Sequence, residues 1–586
     1  MNKEWSLDVL YHGFGDAAYR EDKKNLSQVT IKLQEVAENP TLDRNTPEKL
    51  TRAVDLLEEF HVTGKRLSYY TVLKQSVNTS DHETVNELKE IEKQFTLSAK
   101  PIAILQKWIA SIPNLEEYMD KNPKLMGYEY LLTEMKKEAG YLLSDDVEDV
   151  IARLNVSAGA AWGMMQSFLT STLEVEYRGE IITLPEVRNL AHSEDASVRR
   201  DAFYAELAAY EKIKDAVSFS LNNIKTQVNA LCDLRGYESP LRMTLTQAKM
   251  KKETLDAMLQ AIVEYLPVFH QYLRHKGKLF GHEDGLPWFD LFAPIGESST
   301  KFSIEETKGY LLKHFRPFAD DLADMIEEAF DQEWIDFYPR KGKVGGAFCE
   351  NLPFVKQSRI LMNFTGSLND VVTLAHELGH AYHGLNIEDH LPLNTEYSMP
   401  VAETASTFNE AVIMEAAIQD TMGAEKVALL ESQLSDVTQI ICDIYSRYLF
   451  ESAVFEKCRT GFLFSDELKE MMLSAQKQAY GDGLDHSCLH PYMWVLKGHY
   501  YSDSLSFYNF PYAFGGLLAR GLFEKYKLEG KAFLPKYKAF LHATTIMSVE
   551  DAAKQVEINL EDPKFWRTSL RSIEGMIRDF IDLTSK

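Results

Sequence analysis

The five residues His376-Glu377-Leu378-Gly379-His380 constrain this chain more than any other feature of its sequence. At 3.6 residues per turn, two histidines four positions apart lie about 40° apart around a helix axis, so both imidazoles can reach one metal ion. The carboxylate between them lies roughly 100° further round than the first histidine, beside the metal rather than on it. This arrangement exists only on a helix, so the motif predicts a helix together with a metal site.

The flanking residues favour that helix. Ser367 and Asp370 have the spacing of a capping box, apolar residues fill the segment that follows, and Gly384 offers a stop. Chance does not explain the motif, because about 0.05 random matches are expected in a chain of this composition. Glu377 is the candidate general base, since zinc lowers the pKa of its bound water to about 7 and a neighbouring carboxylate can accept the proton.

A third metal ligand must come from another part of the chain. The candidates on the following segment are Glu388, Asp389, His390, Glu396, Glu403 and Glu410. The long metzincin signature is excluded, because His383 and Asn386 occupy the places where it requires glycine and histidine. Glu403 is favoured, because Ser398 and Pro400 are good helix-start residues and would place it in the first turn of a long helix.

The stretch from Thr373 to His383, followed by Val401-Ala402-Glu403-Thr404-Ala405-Ser406, resembles the thimet oligopeptidase and oligoendopeptidase F family, and the oligoendopeptidase F branch more closely. The resemblance implies a zinc-dependent oligoendopeptidase that hydrolyses internal peptide bonds of short unfolded peptides. It implies one Zn²⁺ ion per chain, with the ligands His376, His380 and Glu403 and with Glu377 as general base. Two neighbouring residues have supporting roles in this interpretation: His383 is expected to pack, and Glu410 could orient a ligand.

A run rich in aromatic residues extends from Gly498 to Gly515. Peptide hydrolysis passes through an oxyanion, and tyrosine hydroxyls and a histidine N–H are suitable donors to it. In the family such donors come from late in the chain, and the resemblance assigns them to His499, Tyr508 and Tyr512, with Tyr501 as a competing candidate. The glycines Gly345 and Gly346 match the family's segment for holding peptide backbone, where the lack of a side chain would permit strand addition.

The expected fold is mainly α, a large two-lobed helical metallopeptidase fold with a small β-sheet beside the metal-binding helix and a deep central channel. The lobes and the channel are implied by the resemblance. Helical spacing of apolar residues covers 47–62, 85–105 and 146–169, whereas 173–184 alternates like a β-hairpin and 334–338, 345–350 and 359–364 have the composition of strands. A soft boundary near Ser193 divides an N-terminal helical region, 1–192, from a catalytic domain, 193–586.

Composition limits the partners. The net charge of −25 argues against nucleic acid, and no segment has the roughly 20 apolar residues of a membrane span. Five widely spaced cysteines and the polar N-terminus predict a cytoplasmic protein. The resemblance implies that its partners are short peptides. Two alternatives remain at this point, a zinc hydrolase of a non-peptide amide or ester and a peptide-binding scaffold with structural zinc, and the oligomeric state is open.

Overall fold

Helices dominate the computed structural model, which describes residues 4–39, 45–296 and 300–585. The chain is 71% helical with two small sheets, as the expected mainly α fold requires. The helices before the first strand are α1 (Ala17–Ala37), α2 (Thr46–Val77), α3 (His82–Ala110), α4 (Leu115–Met119), α5 (Pro123–Met126), α6 (Glu129–Ala139), α7 (Asp145–Asn155) and α8 (Gly159–Ser171).

Eighteen further helices lie after the first hairpin in the described part of the chain. Those before the metal-binding motif are α9 (Leu184–Asn189), α10 (Ala196–Tyr210), α11 (Lys214–Arg235), α12 (Pro240–Gln247), α13 (Lys252–Leu279), α14 (Ile304–Phe315) and α15 (Asp320–Asp331). The others are α16 (Leu368–Leu385), α17 (Met399–Ala402), α18 (Thr404–Asp420), α19 (Gly423–Thr438), α20 (Ile444–Cys458), α21 (Ser465–Tyr480), α22 (Met493–Leu496), α23 (Phe510–Glu529), α24 (Leu534–Ala543), α25 (Val549–Lys554) and α26 (Pro563–Thr584).

Two of the three helices expected in the N-terminal region are confirmed and extended as α2 and α3. The third expectation, one helix over 146–169, is wrong, because α7 ends at Asn155 and α8 begins only at Gly159. The start of α8 packs closely on a distant loop: a Cβ atom at Gly159 would lie 2.5 Å from the Cβ atom of Asp503. This close packing accompanies the break, which the apolar spacing of the segment does not reveal.

Both expected patches of strand are confirmed. β1 (Glu174–Tyr177) and β2 (Glu180–Thr183) pair antiparallel around Arg178 and Gly179, whose φ angles of 51° and 86° suit a tight hairpin turn. The second sheet has the order β3-β5-β4, formed by β3 (Ile335–Asp336), β4 (Phe348–Leu352) and β5 (Gln357–Leu361). β5 is central, parallel to β3 and antiparallel to β4, so β4 is an edge strand.

The described residues form two hydrophobic cores, as a two-lobed fold requires. One core consists of residues between Trp5 and Leu132 together with Leu352 and Leu361, and the other consists of residues between Leu173 and Phe580. The three-stranded sheet lies where they meet: Leu361 belongs to the first core and its neighbour Ile360 to the second. Side chains alternate across a strand, so this sheet has one face in each lobe.

No helix in the described ranges is both long and apolar enough to cross a membrane. The domain boundary near Ser193 and the central channel stay predictions.

Candidate metal centre

The motif lies on α16, whose start is the capping box expected from the sequence. The Ser367 hydroxyl accepts a hydrogen bond from the Asp370 N–H at 3.1 Å, and the Asp370 carboxylate accepts one from the Ser367 N–H at 3.0 Å. The helix ends at Leu385, one residue beyond the expected stop at Gly384. Gly384 instead allows a close approach, because a Cβ atom there would lie 2.6 Å from the side chain of Asn351 on β4.

Gly379, the glycine inside the motif, lets a second helix pass directly beside α16. A Cβ atom at this position would lie 2.5 Å from both the Ala405 carbonyl oxygen and the Ser406 Cα atom of α18. Real Cβ atoms essentially never approach other atoms so closely, so any side chain here would push the two helices apart. The close crossing brings the residue just before α18, Glu403, to the two histidines.

Glu403 lies at an interruption between two helices rather than in the first turn of one long helix. α17 ends at Ala402 and α18 begins at Thr404, with Glu403 at φ −91° and ψ 4° between them. The expectation of a continuous helix is wrong here, and packing against α23 provides a reason, since a Cβ atom at Gly515 would lie 3.3 Å from the Glu403 Cβ atom. The Ser406 hydroxyl donates to Glu403 Oε2 at 3.0 Å and helps to fix the carboxylate.

Three ligand atoms converge at this crossing. Glu403 Oε2 lies 3.2 Å from His376 Nε2 and 3.4 Å from His380 Nε2, and the two rings are nearly perpendicular, with centroids 4.9 Å apart. Tetrahedral zinc with bonds of about 2.0 Å separates its ligand atoms by roughly 3.3 Å. The two distances to Glu403 Oε2 therefore match a site for one zinc ion.

The hydrogen bond between Glu410 and His376 indicates that the site fits a cation. Glu410 Oε1 lies 2.7 Å from His376 Nδ1, and a carboxylate can only accept, so Nδ1 carries the proton. In the neutral ring the lone pair of Nε2 then faces the Glu403 carboxylate, and two acceptors at 3.2 Å need a cation between them. Without metal that cation is a proton: burial lowers the pKa of His376, but the hydrogen bonds to Glu403 and Glu410 outweigh burial and raise the pKa to about 10.

Glu377 lies beside these three ligands and is almost completely buried, with 5% of its surface exposed. Among the described residues no hydrogen bond or ion pair engages its carboxylate, and burial raises its pKa above the usual range of a glutamate. Any positive charge on the neighbouring imidazoles works against this rise. Glu377 is thus a carboxylate held next to the ligand triangle with its oxygens free to accept a proton.

His383 packs, as the sequence predicted. It is fully buried, its ring stacks on Tyr397 at 4.2 Å, and its Nε2 atom lies 2.8 Å from the Thr544 hydroxyl. Burial lowers its pKa to about 3, so the ring is neutral. This contact links α16 to the end of α24.

The late aromatic run brings His499, Tyr508 and Tyr512 together in a row. The His499 ring stacks on Tyr508 at 4.5 Å, and the hydroxyls of Tyr508 and Tyr512 lie 3.5 Å apart. Burial raises the pKa of Tyr512, and Tyr508 and, to a smaller extent, the charge of Glu403 add to the rise, which places Tyr512 within electrostatic reach of the metal site. The competing candidate Tyr501 is buried, and its hydroxyl donates to the Trp494 carbonyl at 2.8 Å.

Two residues that the sequence analysis did not identify fix the His499 ring. Arg447 donates to Asn509 Oδ1 at 2.8 Å, so this oxygen, rather than the amide nitrogen, faces His499 Nδ1 at 3.2 Å. His499 Nδ1 is therefore the donor, and Nε2 of the neutral ring is an acceptor. Burial and the charge of Arg447 lower the pKa of His499, which favours this neutral form. No local sequence signal marks this arrangement, because Arg447 and Asn509 are far apart in the chain.

The glycine segment before β4 leaves its backbone accessible. A Cβ atom at either Gly345 or Gly346 would meet nothing within 4 Å, and Asn363 fixes the turn by donating to the carbonyl of Gly346 at 2.8 Å. One side of β4 pairs with β5, and no described strand pairs with its other side. β4 also packs against α16 through the contact of Asn351 with Gly384.

Comparisons with known proteins agree with this geometry. The family model "Peptidase family M3" matches residues 189–572, and the model "Oligopeptidase F" matches residues 110–174. Oligopeptidase PepF of Bacillus subtilis is 25% identical over 84% of this chain and 74% of its own length. An oligoendopeptidase F homolog of Lactococcus lactis is 24% identical over 99% of this chain and 97% of its own. The crystal structure of oligoendopeptidase-F from Enterococcus faecium shares the fold, with a TM-score of 0.73, 18% identity and coverage of 97% of this chain and 99% of that one.

Fold, site and similarity together define a metalloendopeptidase. The chain belongs to peptidase family M3, and its relatives include oligoendopeptidases of the F type.

Proposed function

We propose that this protein is a zinc-dependent oligoendopeptidase that cleaves internal bonds of short unfolded peptides. The observation that carries this proposal is the triangle of His376, His380 and Glu403 with the unpartnered carboxylate of Glu377 beside it. Three ligands leave a coordination position open, as catalytic zinc sites do, whereas structural sites use four protein ligands. Zinc held by these residues would polarise the scissile carbonyl and make a water molecule more acidic.

Glu377 is the general base in this proposal. Its carboxylate would take the proton of the attacking water and later deliver it to the leaving amine. Burial supports both steps, because a raised pKa brings the carboxylate closer to the range in which it can accept and release a proton at neutral pH.

Tyr508 and Tyr512 are proposed as hydrogen-bond donors to the oxyanion. The two hydroxyls contact each other, the charge of Glu403 reaches Tyr512, and neither hydroxyl donates to a backbone carbonyl as that of Tyr501 does. The sequence predicted that His499 donates a hydrogen bond to the oxyanion. The neutral tautomer with its proton on Nδ1 supports a different role, because its Nε2 atom would accept a hydrogen bond from a peptide N–H or a tyrosine hydroxyl. All three residues remain the proposed catalytic group of the late chain.

The free side of β4 is the proposed binding site for the peptide backbone. An extended peptide that pairs with an edge strand is recognised through its main chain, so one site can accept many sequences. The accessible backbone at Gly345 and Gly346 supports this assignment.

The decisive experiment incubates zinc-loaded protein with a library of short peptides of varied length and with an unfolded protein, and identifies products by mass spectrometry. The wild type should cut short peptides internally, whereas Glu377→Gln should keep its zinc and lose nearly all turnover, because an amide is not a base. Glu415→Gln is the matched control, since this carboxylate pairs with Lys527 at the surface. Near-normal turnover by Glu377→Gln would refute its role, and the absence of cuts by the zinc-loaded wild type would favour a non-peptide amide or ester.

A further inference from the structure

A second group of metal-ligating side chains lies outside the centre described above. It consists of Asp389 and His390, which follow α16, and His542 on α24. The two histidine Nε2 atoms lie 2.9 Å apart, with ring centroids at 4.1 Å and planes nearly perpendicular. Asp389 Oδ1 lies 3.4 Å from His542 Nε2. The 3.4 Å separation equals that between Glu403 Oε2 and His380 Nε2, whereas the 2.9 Å contact is a hydrogen bond between the two imidazoles that a bound ion would replace.

The surroundings of His390 orient its ring as they would a ligand. His390 Nδ1 lies 2.7 Å from the Thr545 hydroxyl and 3.3 Å from the Asn394 carbonyl oxygen. A carbonyl oxygen only accepts, so a proton on Nδ1 satisfies it and leaves the Nε2 lone pair directed at His542. Histidines that bind metals characteristically donate their other N–H to such a carbonyl or hydroxyl.

We propose that Asp389, His390 and His542 form a second binding site for a divalent transition-metal ion of the zinc type. Two imidazoles and one carboxylate suit Zn²⁺, Co²⁺ or Ni²⁺, whereas Ca²⁺ and Mg²⁺ prefer oxygen ligands. Solvent can complete the coordination, because His542 is 43% exposed and Asp389 70% exposed at the side chain. Exposure also makes this site weaker than one whose ligands are held in a buried cleft.

The position of the site gives the ion a structural consequence. Residues 386–398 connect α16 to α17, and so connect the helix of His376 and His380 to Glu403. This connection contacts the first lobe, where Asn394 donates to the Gly127 carbonyl at 2.8 Å and Glu396 pairs with Lys65 at 2.6 Å. A metal ion bound by Asp389, His390 and His542 would fasten the same connection to α24 in the second lobe.

Zinc uptake by the full-length protein tests the site directly. Protein freed of metal with a chelator is titrated with Zn²⁺ against a chromophoric indicator, and bound zinc is measured by mass spectrometry after gel filtration. The wild type should bind two ions per chain and His542→Gln one fewer, with at least 100-fold weaker binding at the lost position. His486→Gln is the matched control, because this exposed histidine contacts the Gly481 carbonyl elsewhere and should leave uptake unchanged.

A second pair of variants separates the two sites. His376→Ala should retain one zinc ion, and this ion should raise the melting temperature of the variant above that of its metal-free form. His376→Ala combined with His542→Gln should bind no zinc. Circular dichroism establishes that each variant is folded. Asp389→Asn changes an exposed side chain and should lower the zinc affinity of the second site about 10-fold. Uptake of the wild-type amount of zinc by a folded His542→Gln would overturn the second site, whatever the outcome for peptide cleavage.

Discussion

Replacing Gly379 by alanine would show how strongly the spacing of two helices controls metal binding. The new Cβ atom would lie 2.5 Å from backbone atoms of Ala405 and Ser406, whereas ordinary contacts begin at 3.4 Å. Backbone cannot rotate away as a side chain can, so α16 and α18 must separate by about 1 Å to restore ordinary packing. Because Glu403 is the residue immediately before α18, most of this displacement should reach its carboxylate.

The expected magnitude follows from the tolerance of metal sites. Ligand distances are set to within about 0.2 Å, and Glu403 Oε2 now lies 3.2 and 3.4 Å from the two histidine nitrogens. A shift several times larger than that tolerance should lower zinc affinity on the order of 100-fold. This is the upper end of the loss in metal affinity seen when groups that orient the ligands are mutated. The free energy of unfolding should fall by about 1 to 2 kcal/mol, because overpacking costs up to about 3 kcal/mol and alanine returns about 1 kcal/mol of helix propensity.

Competition with a zinc-binding dye measures the affinity, and urea unfolding of metal-free protein measures stability. Gly575→Ala is the matched control, since Gly575 lies within α26 and a Cβ atom there would meet nothing within 4 Å. That variant should bind zinc normally and become more stable by about 0.5 to 1 kcal/mol. Wild-type zinc affinity in Gly379→Ala would refute the argument that the close crossing of α16 and α18 sets the ligand geometry.

Three further outcomes are expected at the same site. Glu403→Ala should lose most bound zinc in elemental analysis, and full occupancy would point to another acidic ligand. Glu410→Gln should bind zinc about 10- to 100-fold more weakly, because the amide can present its N–H₂ group to His376 and no longer fixes the tautomer; unchanged affinity in the dye assay would argue against this. Tyr508→Phe and Tyr512→Phe should each lower kcat about 10²- to 10³-fold at normal zinc content. Tyr501→Phe serves as their control. If the kcat values of Tyr508→Phe and Tyr512→Phe equal that of Tyr501→Phe, the hydroxyls of Tyr508 and Tyr512 do not contribute to the reaction.

The metal-binding helix α16, its two histidine ligands and the first hairpin could be predicted from the sequence because their signals are local. Capping by Ser367 and Asp370 depends on three-residue spacing, and two histidines one turn apart share a helix face wherever the helix lies. The hairpin around Arg178 and Gly179 depends equally on nearby residues. These features were predicted correctly without knowledge of the rest of the fold.

The features that the sequence did not reveal depend on contacts between distant segments. The interruption at Glu403 accompanies packing against α23, and the break between α7 and α8 accompanies packing against Asp503. The orientation of His499 depends on Asn509 and, through it, on Arg447. The roles assigned to His499, Tyr508 and Tyr512 stay predictions, as does the cytoplasmic location.

The sheet between the lobes has a mechanical consequence. Leu361 and Ile360 are adjacent on β5 yet are embedded in different cores, and β4 in the same sheet holds Asn351 against Gly384 of α16. A hinge motion that swings one lobe relative to the other must twist this sheet, because neither face can slide freely. The twist would be transmitted to α16, so a displacement of one lobe relative to the other would also move His376 and His380.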